Sequence, residues 1–170
     1  MHYKKLVNFA LFVIGWWTAL LYGNAMALIA LFLVLMLHFL MWRDIQDIFV
    51  VLGFIFCGFG VEWAFMASGV LDYGSNLPPA WSICIWAMLS ITVRHSLAWL
   101  VGAPLWCVLA GLLLAPAFYA NSIYFGPANW GLPTWQCLLV ISLVWGLFAA
   151  CVSRIMLTLM RTMEPVRNEV

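Results

Sequence analysis

The residues of this chain that could do chemistry are a few ionisable and polar side chains inside long apolar segments. Glu62 stands well inside one segment, and Arg94, His95 and Ser96 are consecutive near the end of the next. A carboxylate in such a place can bind a ligand or carry a proton, and an imidazole can act as an acid or a base. Together with Gly58, one helical turn before Glu62, these side chains form the candidate ligand-binding set.

The surrounding composition favours a membrane protein. Hydrophobic residues make up 67% of the 170 residues and charged residues 8%, and the mean hydropathy is +1.08. A soluble fold could not bury so much apolar surface, whereas a spanning helix needs about 20 apolar residues. We therefore predict an all-α polytopic membrane protein that forms a single domain over residues 1–170. About six transmembrane helices are expected, over residues 6–22, 25–42, 48–71, 80–100, 105–121 and 134–158.

The basic residues predict the orientation of these helices. Basic residues near helix ends are retained on the cytoplasmic side during insertion, so both termini are expected there. The net charge of +1 argues against a nucleic-acid partner, which requires a basic face. Tryptophans near helix ends, Trp16 and Trp81 among them, are interpreted as anchors at the lipid headgroups. All seven Lys and Arg lie on one side of the predicted bundle: Lys4, Lys5, Arg43, Arg94, Arg154, Arg161 and Arg167.

Glu62 is the deepest ionisable residue in the pattern. It stands about 14 residues into its helix, which places it roughly 21 Å from the cytoplasmic end. A carboxylate there must face the bundle interior and accept hydrogen bonds or remain protonated. Gly58 and Met66 share its helix face, so a narrow cleft or a close helix contact is expected. Two interpretations stay open: a ligand-contacting or proton-carrying carboxylate, and a structural tie to the backbone of a neighbouring helix.

The polar segment at the end of the fourth helix allows several roles. Arg94 lies roughly 9 Å from the helix end, near enough for its side chain to snorkel to the headgroups. His95 points about 100° away from Arg94 on a helix and is expected to face the bundle. Ser96 follows His95 directly, but no acidic residue is placed in sequence to orient the imidazole, so a serine hydrolase is not favoured. A direct Glu62–Arg94 ion pair is not expected, because the estimated depths differ by about 12 Å.

The sequence predicts neither a metal site nor a cofactor. The five cysteines stand singly in apolar segments and are interpreted as small buried hydrophobes. His38 and Arg154 could each simply reach the interface. Together with Asp44, Asp47 and His95 they could instead line an inward-facing polar pocket, but two His and two Asp from separated segments form no recognisable metal-ligand spacing. Arg43 and Asp47 can pair at a spacing of four if the charged turn between the second and third helices is helical.

Several motifs resemble a known family. Three segments carry the likeness: His95-Ser96-Leu97-Ala98-Trp99-Leu100, the following Gly102-Ala103-Pro104, and the later Leu114-Ala115-Pro116-Ala117-Phe118-Tyr119. With its six spans, the chain resembles DUF2878, a family of uncharacterised bacterial inner-membrane proteins. The resemblance covers nearly the whole chain and implies a location in the bacterial inner membrane but no activity. Arg94 departs from it, since a small polar residue such as Asn is expected there. More remotely, Gly58 and Glu62 resemble a Gly-x-x-x-acidic pattern of the rod-shape protein MreD and of the six-helix substrate-binding subunits of vitamin transporters.

Three hypotheses for function follow. The first is a non-catalytic membrane module that binds a small or lipidic ligand, or a partner membrane protein, through a cleft containing Glu62. The second is a small intramembrane enzyme acting on a lipid or fatty chain, with Glu62 or His95 as acid or base; it lacks a second catalytic group at a compatible depth. The third, a small transporter, would need broken helices that the pattern does not predict.

Overall fold

The computed structural model describes the backbone of residues 2–163 and the side chains of residues 3–159. The predicted all-α class is confirmed, and two short strands in the described part of the chain pair with each other. In chain order the elements are α1 (His2–Trp42), α2 (Gln46–Ala67), β1 (Leu71–Asp72), α3 (Ala80–Val93), α4 (Ala98–Val101), α5 (Pro104–Phe125), β2 (Asn129–Trp130) and α6 (Thr134–Met163).

The helical stretch α1 is folded into two antiparallel arms at Gly23. The break requires a φ of +72° with a ψ of −160°, a conformation that glycine adopts readily because it lacks a Cβ. The arms, residues 2–22 and 24–42, run side by side, since the Lys4 ammonium donates to the Met41 carbonyl oxygen at 3.0 Å. This is the hairpin predicted for the first two helices. The turn also holds α3, because the Asn24 side chain accepts a hydrogen bond from the backbone N–H of Trp81 at 3.0 Å.

Four helices of the described chain are long and apolar enough to cross a membrane: the folded α1, α2, α5 and α6. The apolar helix α3 has 14 residues, so at about 1.5 Å per residue it is shorter than a bilayer core of about 30 Å. Large apolar side chains on the outside of the bundle, such as Phe56 and Leu147, are well exposed. A fold that exposes such side chains on long apolar helices fits a lipid environment.

The helix predicted over residues 80–100 ends at Val93, which corrects that boundary. Residues 94–97 form a turn, in which the backbone N–H of Leu97 donates to the Thr92 carbonyl oxygen at 2.8 Å, and the short α4 follows. The physical reason is the convergence of Arg94, His95 and Ser96 on one polar cluster. On a continuous helix their side chains would diverge by about 100° per residue.

The helix α2 ends four residues before the predicted boundary at Leu71. Its end is a Schellman motif: Val70 N–H donates to the Phe65 carbonyl and Gly69 N–H to the Met66 carbonyl, while Gly69 has a φ of +72°. The chain then enters β1, which pairs antiparallel with β2, so that Leu71 faces Trp130. These strands tie the loops that precede α3 and α6 together at one end of the bundle.

The bundle has two distinct ends. One holds Lys4, Asp47 and Arg94 and is called here the charged end; the other holds Gly23, Tyr73 and Trp130 and is called the loop end. Between them α3 packs against both α1 and α2, and α5 packs against α6. The predicted helices 105–121 and 134–158 correspond to α5 and α6, and each extends further at its carboxyl end than predicted.

Candidate functional site

Glu62 lies in the interior of the bundle, where three side chains donate hydrogen bonds to it. Trp86 Nε1 of α3 and the Tyr119 hydroxyl of α5 donate to Oε1, at 2.9 and 2.6 Å. The hydroxyl of Tyr73, from the loop after β1, donates to Oε2 at 2.6 Å. These four residues are called the Glu62 cluster. Both carboxylate oxygens are engaged, so Glu62 joins two helices and a loop to α2.

The Glu62 cluster contains a carboxylate and three neutral donors. Charge-assisted hydrogen bonds from hydroxyl and indole groups stabilise a carboxylate away from water. Burial, together with the Glu62 charge, raises the pKa of Tyr73 well above its usual value, so this loop residue stays a proton donor. Of the two interpretations that the sequence leaves open, the structural one matches these contacts: Glu62 links α2 to neighbouring elements. Its hydrogen bonds go to side chains, however, and not to the backbone of a neighbouring helix.

Gly58 has a packing role beside this cluster. A Cβ at Gly58 would lie 2.4 Å from Cγ and 2.6 Å from Cδ2 of Trp86. The missing side chain therefore lets the Trp86 indole lie against α2, from where its N–H reaches Glu62. Gly58 thus positions a donor of the cluster.

A cleft of about 810 Å³ lies beside Glu62. Its walls are almost wholly apolar and come mainly from the first arm of α1, from α3, and from α5 and α6, with further residues from α2 and α4. The first arm and α5 make aromatic contacts towards the loop end, where Trp16 meets Phe118 with ring centroids 5.2 Å apart. Towards the charged end, the lining residues Phe9, Trp106 and Leu113 are exposed at the rim. The cleft is therefore open on the side of the bundle between the first arm and α5.

Trp145 forms part of the wall of this cleft. Its ring stacks on Trp86 with centroids 4.6 Å apart. Among the side chains of residues 3–159, one buried nitrogen or oxygen atom makes no hydrogen bond of acceptable geometry, and this atom is Trp145 Nε1. The neighbouring Tyr119 hydroxyl interacts with it but donates its own proton to Glu62. The Tyr119 oxygen keeps its lone pairs while its proton goes to Glu62, so it is the neighbouring acceptor for the Trp145 N–H.

A second polar cluster lies at the charged end, around Asp47. Asp47 Oδ2 accepts hydrogen bonds from Nε2 of His38 and Nε2 of His95, each at 2.8 Å. Its other oxygen, Oδ1, accepts from Arg94 Nη1 at 2.8 Å, and Arg94 Nη2 reaches Asp44 Oδ2 at 2.8 Å. These five residues are called the Asp47 cluster. Arg43 and Asp47 could pair only in a helical turn, and that condition is not met: Arg43 has a φ of +52°, and the Asp47 side chain faces α1 and the 94–97 turn.

Asn8 connects this cluster to Ser96. The Ser96 hydroxyl donates to Asn8 Oδ1 at 2.6 Å, and Asn8 Nδ2 lies 3.3 Å from both the Ile91 carbonyl oxygen and His38 Nδ1. Since Ile91 offers only an acceptor, this arrangement makes His38 Nδ1 an acceptor and leaves the imidazole proton on Nε2, facing Asp47. An amide therefore separates the serine hydroxyl from the imidazole.

The structure divides the candidate residues of the sequence between the two clusters. Glu62 and Gly58 belong to one, while Arg94, His95 and Ser96 belong to the other or contact it through Asn8. Asp47 and Glu62 are 15 residues apart on α2, roughly 22 Å. Sequence reasoning missed four aromatic residues, because their polar atoms give no separate signal in an aromatic-rich chain: Tyr73, Trp86, Tyr119 and Trp145. It also missed the direct hydrogen bonds of His38 to Asp47 and Asn8.

Long apolar helices around buried polar clusters define this chain as a helical protein of membrane type. It belongs to the family described as "Protein of unknown function (DUF2878)", which matches residues 5–151. The family resemblance seen in the motifs is thereby confirmed. No curated protein and no solved structure matches the chain, so the remote likeness to MreD and to vitamin-transporter subunits stays a prediction.

Proposed function

We propose that this protein is a non-catalytic membrane module that binds a lipidic ligand, with an apolar chain of the ligand lying in the cleft beside Glu62. The observation that carries the proposal is the cleft itself. Its volume of about 810 Å³ falls within the range of roughly 300–1,000 Å³ typical of ligand sites. Its lining is more uniformly apolar than a water-soluble ligand would need.

The position of the opening supports a ligand that arrives from the bilayer. The rim residues Phe9, Trp106 and Leu113 lie on the outer surface of apolar helices, where lipid chains would be the surrounding medium. An acyl or other hydrocarbon chain could move between the first arm and α5 without crossing water. A polar ligand would have to leave its hydration shell on the same path.

Trp145 supports a ligand that also carries an oxygen acceptor. The Trp145 ring lines the cleft and its N–H makes no hydrogen bond of acceptable geometry, so a carbonyl, ester or hydroxyl oxygen that reached this N–H would give it an acceptor. An anionic headgroup is not suited to this depth, because the described residues that line the cleft include the Glu62 carboxylate and no basic side chain. The proposed ligand is thus a lipid with a neutral, oxygen-bearing group near Trp145.

The charge distribution supports the proposed orientation, with the charged end in the cytoplasm and the protein in a bacterial inner membrane. Lys4, Lys5, Arg43 and Arg94 lie at the charged end. Arg154 follows Ser153, whose hydroxyl donates to Val101 of α4 at the same end. Basic residues at one end of a bundle favour the cytoplasmic side.

The enzyme alternative finds less support in the contacts. Glu62 has both oxygens occupied by donors, and His95 lies in the other cluster, roughly 22 Å along the bundle. The Ser96 hydroxyl donates to an amide oxygen, which is too weak a base to activate a nucleophile. Neither cluster therefore offers an acid–base pair facing the cleft.

Native mass spectrometry of the protein, extracted gently from membranes, tests the proposal. The informative variant is Ala110→Trp, which adds a large ring at the cleft wall. Its control is Leu147→Trp, which places the same side chain on an exposed face outside the cleft lining. We expect wild type and the control to retain one lipid per chain and Ala110→Trp to lose most of it. Equal retention in all three proteins would overturn the proposal.

A further inference from the structure

Three metal-binding side chains converge at the charged end. His38 comes from the second arm of α1, Asp47 from the first turn of α2, and His95 from the turn after α3. One ligand atom of each, Nε2 of the two histidines and an Asp47 oxygen, lies within 4.8 Å of the others. His38 and Asp47 are almost fully buried, and His95 is largely so. Separate elements therefore present two imidazoles and one carboxylate to the same point.

The groups behind these three side chains hold them in place. Arg94 binds Oδ1 of Asp47, the oxygen that the histidines do not contact. Asn8 lies against Nδ1 of His38, the ring nitrogen on the far side from Asp47. Trp42 packs on both imidazoles, with ring centroids 5.0 Å from His38 and 4.6 Å from His95. Partners on the outer atoms of ligands are a regular feature of metal sites, where they orient the ligands.

We propose that His38, Asp47 and His95 form a site for a divalent transition-metal cation, independent of the lipid cleft. Imidazole and carboxylate donors suit Zn²⁺, Co²⁺ and Fe²⁺ better than Ca²⁺ or Mg²⁺, which prefer oxygen ligands alone. With two nitrogens and one carboxylate the protein supplies three ligands, and water or another ligand completes the coordination. No metal-ligand spacing is visible along the chain, because the three residues come from three separate segments.

Binding changes the hydrogen bonds of the cluster in a defined way. Both imidazoles donate Nε2–H to Asp47 in the present arrangement, and a metal must replace these protons. His38 then carries its proton on Nδ1, which requires the Asn8 amide to turn its oxygen towards the ring and to give up the 3.3 Å contact with the Ile91 carbonyl.

Titration of the full chain with Co²⁺ tests the site, because visible absorption reports the coordination of this ion. The protein is purified in detergent without a polyhistidine tag and is stripped with a chelator. We expect one Co²⁺ per chain in wild type and in His2→Ala, which changes the remaining histidine of the sequence. His95→Ala and Asp47→Asn should each lower the affinity by more than about tenfold, since each removes a direct ligand.

Two results would overturn the site: no saturable Co²⁺ binding by wild type, or the same affinity in wild type and in both ligand variants. Thermal melts of each variant establish whether it is folded. If both ligand variants fail to fold, X-ray absorption spectroscopy of Co²⁺-loaded wild type decides the matter. Scattering from two imidazole rings would support the site, and its absence would contradict it.

Discussion

Arg94 Nη1 lies 2.8 Å from Asp47 Oδ1, and the same guanidinium contacts Asp44 and the Gln46 side chain through Nη2. This geometry joins the turn after α3 to the start of α2. It replaces the snorkelling expected from the depth of Arg94 in the sequence. The fixed fork of donors in a guanidinium can hold both carboxylates at once, which a single ammonium cannot do.

Arg94→Lys is therefore expected to destabilise the protein, by about 1–3 kcal/mol for charge-assisted hydrogen bonds that Lys does not restore. Thermal melts in detergent measure the loss. Arg154→Lys is the matched control, because Arg154 is exposed and the same change there should be nearly neutral. Equal, negligible changes in melting temperature for the two variants would mean that the Arg94 charge only reaches the lipid headgroups, and would contradict a stabilising role for its contacts with Asp44 and Asp47.

Substitutions at Glu62 should separate loss of charge from loss of acceptors. Glu62→Gln keeps one carbonyl oxygen for Trp86 and Tyr119, and the Tyr73 hydroxyl can turn to accept from the new amide. We expect this variant to insert and fold nearly normally. Glu62→Leu leaves three donors without an acceptor, at a cost of about 1–3 kcal/mol each. Expression level and melting temperature measure both, and a Leu variant as stable as the Gln variant would contradict the role of the cluster.

Gly58→Ala and Gly60→Ala form a matched pair on α2. An added Cβ at Gly58 would overlap the Trp86 ring, whereas at Gly60 it meets no atom within 4 Å. The first change should destabilise the protein, since the indole must move away from Glu62. The second should stabilise it by up to about 1 kcal/mol, the helix propensity of Ala over Gly. Melting temperatures that shift in the same direction for both variants would refute the packing role of Gly58.

Reporter fusions test the orientation. Alkaline phosphatase fused after Val170 should be inactive and green fluorescent protein at the same position should fluoresce, because the proposed orientation has both termini in the cytoplasm. A phosphatase inserted between α5 and α6, in the loop of residues 126–133, should be active. The reverse pattern at both positions would invert the proposed topology.

Much of the fold could be predicted from hydrophobicity alone. The apolar segments, the hairpin at Gly23 and the starts of α3, α5 and α6 follow from composition and turn residues. The end of α3 could not, because residues 94–100 read as a continuous helix. Only the tertiary position of Asp47 and Asn8 gives Arg94, His95 and Ser96 a reason to leave it.

The candidate site was less accessible to sequence reasoning. The depth of Glu62 marked it as a buried carboxylate, but its partners are aromatic side chains whose number in this chain hides individual roles. Trp16 and Trp81 illustrate the same limit: both were expected at the headgroups, yet both are buried in the core. Position along a helix indicates depth, whereas the side on which a ring packs depends on neighbours that a single sequence does not specify.

The most direct test of lipid binding in the cleft is photo-crosslinking with a diacylglycerol that carries a diazirine in one acyl chain, since this lipid has neutral ester oxygens. The protein is reconstituted into nanodiscs, irradiated and mapped by peptide mass spectrometry. The account predicts labels concentrated on cleft residues of α5 and the first arm, Leu113, Ala110 and Phe9 above all, and a loss of these labels in Ala110→Trp. Labels spread evenly over exposed outer residues such as Phe56 and Leu147, unchanged in that variant, would contradict it.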